Sequence, residues 1–274
     1  MYRTLVFAHA NSFPAGTYRQ LFAGWAAAGF DVHAIDRFGH DPRYPVTPDW
    51  PHLVAQLHDF IVGEVGHPVF LVGHSLGGFL SMMLARRQPA LVQGVVVLDA
   101  PLLSGWKAAA VGLAKRMGAM HRVMPSRVSA QRTTEWTSED HVHQHFRAKA
   151  KFAAFHPDVL HDYVRTGTAL RPDGRSRSLH FSRDVETAIY NTLPHGLLAD
   201  FRRHPHRCPM AFIAGTRSSE LRRVGLDGTR QIFGPRISWI EGSHLYPLEQ
   251  PEQTTAEVLR WLDTFLARPV HQAA

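Results

Sequence analysis

The stretch from Val69 to Ala85 constrains this chain more than any other. Val69-Phe70-Leu71-Val72 is a short run of β-branched and aromatic residues, the pattern of a strand buried on both faces. Gly73-His74-Ser75-Leu76-Gly77 follows at once, and Gly78 to Ala85 reads as a helix. A strand, a Gly-x-Ser-x-Gly turn and a helix in that order form a nucleophile elbow. The glycines let strand and helix approach closely while the serine sits in a strained turn. Such a turn presents Ser75 Oγ at the carboxyl edge of a sheet and aims the backbone N–H of Leu76 into the same space.

The rest of the chain supplies the sheet that such a turn needs. Thr4 to Ala8, Asp31 to Asp36, Val92 to Asp99, Cys208 to Ala214 and Ile237 to Ile240 carry strand patterns. Helical spacing covers Tyr18 to Ala28, residues 49 to 65, and Glu252 to Leu266. Alternating strands and helices predict an α/β fold, a mostly parallel sheet of about six strands with flanking helices. The pattern changes after Pro101. Residues 104–205 show few strand signals and several helix-like stretches, Ala108 to Met120, Ser138 to Phe152 and Asp158 to Thr166. The expected organisation is a core in two parts, 1–103 and 206–274, with a helical cap inserted at 104–205.

Three segments together resemble the α/β-hydrolase superfamily. They are the loop His9-Ala10-Asn11-Ser12-Phe13-Pro14 after the first strand, the elbow at Ser75, and the loop Glu241-Gly242-Ser243-His244 after the last strand. The resemblance implies a serine hydrolase with Ser75 as nucleophile. A serine hydroxyl needs a base. Among nineteen histidines, His244 is preferred because it follows the last strand and completes the chain order Ser, acid, His that this fold uses. The acid has two candidates. The family's commonest position, a Gly-x-x-Asp pattern after the strand at 209–214, here reads Gly215-Thr216-Arg217-Ser218, with Glu220 close by. The other position is the strand end Leu98-Asp99. Asp99 is preferred over Glu220, and Asp36 ranks third. Leu76 supplies one oxyanion N–H. Counting forward from His9 points to Asn11 for the second, and counting back from Pro14 points to Phe13. Phe13 is preferred, because the loop is longer than the common His-Gly-x form.

Composition narrows the function further. The chain has 274 residues, 45% of them hydrophobic, with six tryptophans, so a folded globule with a sizeable core is expected. The single cysteine, Cys208, permits no intrachain disulfide and fits a reducing compartment. No leader pattern precedes the first strand and no apolar run reaches membrane-spanning length, which predicts a cytoplasmic protein without membrane contact. A net charge of +7 invites a nucleic-acid reading, but Arg171, Arg175, Arg177, Arg202 and Arg203 lie among Pro, Gly and Ser without interleaved aromatics. A solvated basic surface explains them better. His141 and His145 stand one helical turn apart without a carboxylate partner, so a solvated helix face is expected and no metal or cofactor. Trp136, Phe152, Phe155, Tyr163 and Tyr190 either line an apolar pocket or pack the insertion.

The expected activity is cleavage of a carboxylic ester or related small acyl compound through an acyl-enzyme. A C–C bond hydrolase, lactonase, thioesterase or acyltransferase fits the same residues. A dehalogenase or epoxide hydrolase fits worse, because Ser75 stands where their aspartate nucleophile belongs. A non-catalytic ligand receptor on the same fold is the reading from another class. Oligomeric state is not legible.

Overall fold

The structure is a computed structural model that describes residues 2–120 and 131–267. Its centre is a six-stranded sheet built from β1 (Thr4–Ala8), β2 (Asp31–Ala34), β3 (Val69–His74) and β4 (Val92–Leu98), joined after a long insertion by two later strands. The insertion holds three short strands, β5 (Glu135–Trp136), β6 (Thr168–Leu170) and β7 (Arg177–Leu179). β8 (Met210–Gly215) and β9 (Ile237–Ile240) complete the main sheet. Its order is β2-β1-β3-β4-β8-β9, and every neighbouring pair is parallel.

Strict alternation along the central strands divides the core in two. Val6, Leu71, Val97 and Phe212 face one cluster, and Phe7, Val72, Leu98 and Ile213 face the other. Both faces are covered, which is why these strands read as unbroken apolar runs rather than alternating ones. The helices Pro51–Phe60 and Leu76–Arg87 pack on the first face. Arg19–Ala27 and Pro251–Leu266 pack together on the second. Val258, Leu262 and Phe265 of the closing helix are buried there, and Leu259 is half-buried.

Three sequence expectations change. The helix expected over 49–65 is α-helical only to Phe60, then widens into a π-turn at Ile61–Val65 that Gly66 ends in a left-handed conformation. The stretch expected as one helix from Ser138 to Phe152 is two, Glu139–Arg147 and Ala150–Ala153, because Lys149 is extended. The segment 104–205 also carries an antiparallel sheet, β5-β7-β6. Strands of two or three residues are too short to show a period of two, so they leave almost no pattern in the sequence. Among the described residues, no helix is long and apolar enough to cross a membrane.

The segment between β4 and β8 sits over the carboxyl edge of the main sheet. Phe13, on the loop after β1, packs against Phe152, Phe155 and Tyr163 with ring centroids 5.5–6.1 Å apart. Arg19 and Gln20 reach across to Asp162 at 2.8 and 2.9 Å.

Candidate active site

Ser75 lies between the end of β3 and the first residue of the helix Leu76–Arg87, with φ 51° and ψ −111°. A non-glycine residue there stores strain of about 1–3 kcal/mol, which the surroundings must hold. They hold it from two sides. The Ser75 N–H donates to the Leu98 carbonyl at 2.9 Å, and the Gly77 N–H donates to the His9 carbonyl at 3.1 Å. A Cβ at Gly77 would overlap the Ala8 carbonyl, so only glycine lets the helix start this close to β1.

The loop after β9 brings His244 to the serine. His244 Nε2 is 3.0 Å from Ser75 Oγ, and His244 Nδ1 is 2.6 Å from Asp99 Oδ2. A carboxylate only accepts, so Nδ1 carries the proton and Nε2 keeps a lone pair for the serine hydroxyl. Asp99 is fully buried and, like Ser75, has positive φ, 46°. Its Oδ1 accepts the Gly215 N–H at 3.1 Å, and its Oδ2 accepts the Ser218 hydroxyl at 2.5 Å. Burial works against protonation of His244, but the hydrogen bond and charge of Asp99, with the charge of Glu220, outweigh it. The imidazole is therefore held above its ordinary range.

Glu220 lines the same cavity, but its carboxylate accepts from Ser219 Oγ at 2.7 Å and not from His244. Asp36 pairs with Arg37 at 3.1 Å. Ser218, at the position where the sequence pattern leads one to expect an aspartate, does two things with one hydroxyl. It donates to Asp99 and accepts the Leu221 N–H at 3.0 Å, which caps the helix Ser219–Val224. Sequence reasoning read Ser218 only as a missing acid.

The oxyanion loop corrects one expectation. The Phe13 N–H is already donated to the Ala10 carbonyl at 3.1 Å, closing a turn over Ala10 to Phe13. It is not available to a substrate, and the Phe13 ring instead anchors the loop to the insertion. Counting back from Pro14 went astray because Ser12 takes positive φ, 78°, and bends the chain earlier. The Ala10 N–H is also spent, on Tyr18 Oη at 3.3 Å. Among the described residues, the N–H groups of Asn11 and Leu76 have no partner, and both residues line the cavity beside Ser75.

Two buried histidines tie these loops together. The hydroxyl of Tyr18 lies 2.8 Å from His74 Nδ1, and His74 Nε2 lies 2.9 Å from the His244 carbonyl. Because a carbonyl only accepts, Nε2 of His74 carries the proton and Nδ1 accepts from Tyr18. One chain of hydrogen bonds thus runs from the loop after β1, through the elbow, to the loop that carries His244. His9 works the same way, Nδ1 on the Ala10 carbonyl at 2.8 Å and Nε2 accepting the Phe38 N–H at 2.9 Å. Burial lowers the His9 pKa to about 4 and puts His74 well below its usual value, so both stay neutral struts. The residue before Ser75 and the hydroxyl at Tyr18 carried no signal in the sequence that set them apart.

A cavity of about 400 Å³ opens on Ser75 and His244. Its apolar wall includes Trp50, Phe79, Phe146, Phe152 and Ile189, and Tyr190 also lines it. Of the aromatics singled out in the insertion, Phe152 and Tyr190 therefore face the cavity, whereas Trp136, Phe155 and Tyr163 pack the core behind it. His141 is exposed and bonds Thr137 Oγ1 at 3.1 Å. Cys208 is buried in the core, where burial pushes its thiol up to about 12, far from a reactive thiolate.

Comparison with known proteins agrees with this architecture. The profile of the alpha/beta hydrolase family matches residues 5–258. An sn-1-specific diacylglycerol lipase ABHD11 from Danio rerio is 40% identical over 79 residues, 26% of this chain and 23% of that protein. A pyrethroid hydrolase from Sphingobium wenxiniae is 35% identical over 79 residues, 28% of each chain. The matches thus span only about a quarter of these relatives' length. Among solved structures, E-2-(acetamidomethylene)succinate hydrolase superposes with TM-score 0.74 at 19% identity, over 95% of this chain and 91% of that one. The peroxisomal alpha-beta-hydrolase Lpx1 from Saccharomyces cerevisiae superposes with TM-score 0.72 at 15% identity, over 99% and 79%. At such identities the likeness is one of fold.

Proposed function

The chain belongs to the α/β-hydrolase family, and from that premise we propose that it is a serine hydrolase acting on a carboxylic ester or a related small acyl compound. The observation that carries the reading is the unbroken line of hydrogen bonds from Ser75 Oγ through His244 to Asp99, on the wall of a cavity with room for a small ligand.

In the proposed reaction Ser75 Oγ attacks the carbonyl carbon while His244 Nε2 takes its proton. Asp99 fixes the imidazole tautomer and stabilises the imidazolium. The carbonyl oxygen, now negative, accepts from the N–H groups of Leu76 and Asn11. Loss of one such donor costs about 3 kcal/mol of transition-state stabilisation. His244 returns the proton to the leaving alcohol, a water repeats the attack, and the acid departs. In this reading residues 104–205 serve as a cap that walls the acyl pocket. The same residues serve a thioester, a lactone or an activated C–C bond, so the ester is the simplest case of a broader acyl chemistry.

The test is fluorophosphonate labelling of folded protein together with hydrolysis of short p-nitrophenyl esters. Labelling at Ser75, and loss of both labelling and turnover in Ser75→Ala, are expected. Unchanged turnover in Ser75→Ala refutes the assignment, and an unlabelled Ser75 in folded protein favours a ligand receptor.

A further inference from the structure

The proposed acyl chemistry uses no lysine, yet two lysines line the cavity. Lys151 stands in the short helix Ala150–Ala153, with its ammonium 5.6 Å from the centroid of the Phe13 ring. Lys149 lies two residues earlier, its ammonium 5.1 Å from the centroid of the Phe146 ring. Neither pairs with a carboxylate among the described residues. Residues 121–130 and 268–274 contain no Asp or Glu side chain that might neutralise them.

The cavity's own acids are largely committed elsewhere. Of Asp99, Glu186 and Glu220, Asp99 is held by His244, and Glu186 pairs with Arg132 at 2.6 Å. Arg132 itself is spent on Glu186 and on Tyr163 Oη at 2.7 Å. Glu220 alone is left against two ammonium groups and the guanidinium of Arg223, which also lines the cavity. Both lysines are partly open to solvent, and the protein around them holds their ammonium groups below the ordinary range by desolvation, so each has donors free for a bound anion. The anion's place follows from the loop. Phe13 closes the same turn that carries the Asn11 N–H, and Lys151, whose ammonium lies against the Phe13 ring, lines the same cavity as Asn11 and Ser75.

We propose that the substrate is a small acyl compound bearing a carboxylate, held by Lys151 with Lys149 beside it while Ser75 attacks the neighbouring carbonyl. The proposal rests on the hydrolase reading above, and adds to it the charge of the substrate.

Two matched pairs of esters test it. Monomethyl succinate against methyl butyrate puts the anion on the acyl arm, and acetoxyacetate against propyl acetate puts it on the alcohol arm, with released acid followed by titration. At low ionic strength the wild-type protein is expected to favour the anionic member of at least one pair by tenfold or more in kcat/KM. Lys151→Gln should lower that ratio at least tenfold, mainly through KM, and Lys151→Arg should keep most of it. Succinate should also slow fluorophosphonate labelling of Ser75 in the wild type and not in Lys151→Gln, a readout that needs no turnover. Preference for the neutral ester in both pairs, or a ratio that Lys151→Gln leaves unchanged, overturns the proposal. If Ser75 labels and neutral esters are hydrolysed without preference, the substrate charge alone is wrong. If Ser75 does not label, the hydrolase reading has failed first.

Discussion

Ser218→Ala isolates what holds Asp99, the proposed acid, in place. The Ser218 side chain is buried, its hydroxyl donates to Asp99 Oδ2 at 2.5 Å, and its oxygen accepts the Leu221 N–H at 3.0 Å. A hydrogen bond to a charged group contributes about 1.5–3 kcal/mol. An N-cap hydroxyl contributes about 1 kcal/mol. One oxygen serves both, so the two do not fully add, and a loss of about 2–3 kcal/mol is expected. At about 2–4 °C per kcal/mol for a chain of this size, Tm should fall by roughly 5–10 °C in a calorimetric or circular-dichroism melt. Asp99 keeps the Gly215 N–H and His244, so the triad should loosen without dispersing, and kcat/KM on a p-nitrophenyl ester should fall about tenfold, which is about 1.4 kcal/mol. The decisive measurement is a double-mutant cycle with Asp99→Asn. Without the charge, removing the Ser218 hydroxyl should cost little more than the cap, about 1 kcal/mol, leaving a coupling of 1 kcal/mol or more. An equal cost in both backgrounds, or a Tm within 1 °C of wild type, would refute the idea that this serine holds the carboxylate.

The acid itself is tested by Asp99→Asn, expected to reduce kcat by about 10³–10⁴, against Glu220→Gln, expected to reduce it less than tenfold; the reverse order reassigns the triad. The proposed base, His244, must be neutral, so kcat/KM should fall as pH drops through an apparent pKa above the ordinary imidazole range, and because Glu220 helps to raise His244, Glu220→Gln should move that acid limb to lower pH. Gly77→Ala should fail to give folded protein, since its Cβ meets the Ala8 carbonyl, whereas Gly63→Ala, with nothing within 4 Å, should fold with near-normal Tm; a well-folded Gly77→Ala would show that helix and strand can separate.

The elbow and the sheet were legible because their constraints are local. Strands buried on both faces write continuous apolar runs at 69–72 and 95–98, and the turn at Ser75 admits few residues but glycine beside it. The proposed second oxyanion donor was not legible, because choosing between Asn11 and Phe13 depends on where a loop bends, and a positive φ at Ser12 has no sequence requirement as sharp as a glycine's. The charge of the cavity was hidden for a different reason. Lys149 and Lys151 read as surface residues of a helix, and exposed they are, but the break at Lys149 and the fold of the insertion also bring them to the rim of the cavity that Ser75 lines.

The uncertainty over the acid has a geometric source. β4 and β8 are neighbours, and Leu98 pairs in register with Ile213. The first residues past both strand ends therefore reach the same point in space, one at Asp99 and the other in the loop from Gly215 to Ser218. His244 needs one carboxylate at that point, and either strand can deliver it. The strand that does not deliver the carboxylate still has to satisfy a buried charge, and here it does so with a backbone N–H from Gly215 and a hydroxyl from Ser218. Asp99 and Ser218 are thus two halves of one arrangement: an acid at the end of β4 requires a donor, not a second acid, beyond β8, since two carboxylates sharing His244 would repel and raise each other's pKa. The serine in the expected acid position therefore fits the proposal that Asp99 is the acid, rather than leaving a gap in the motif.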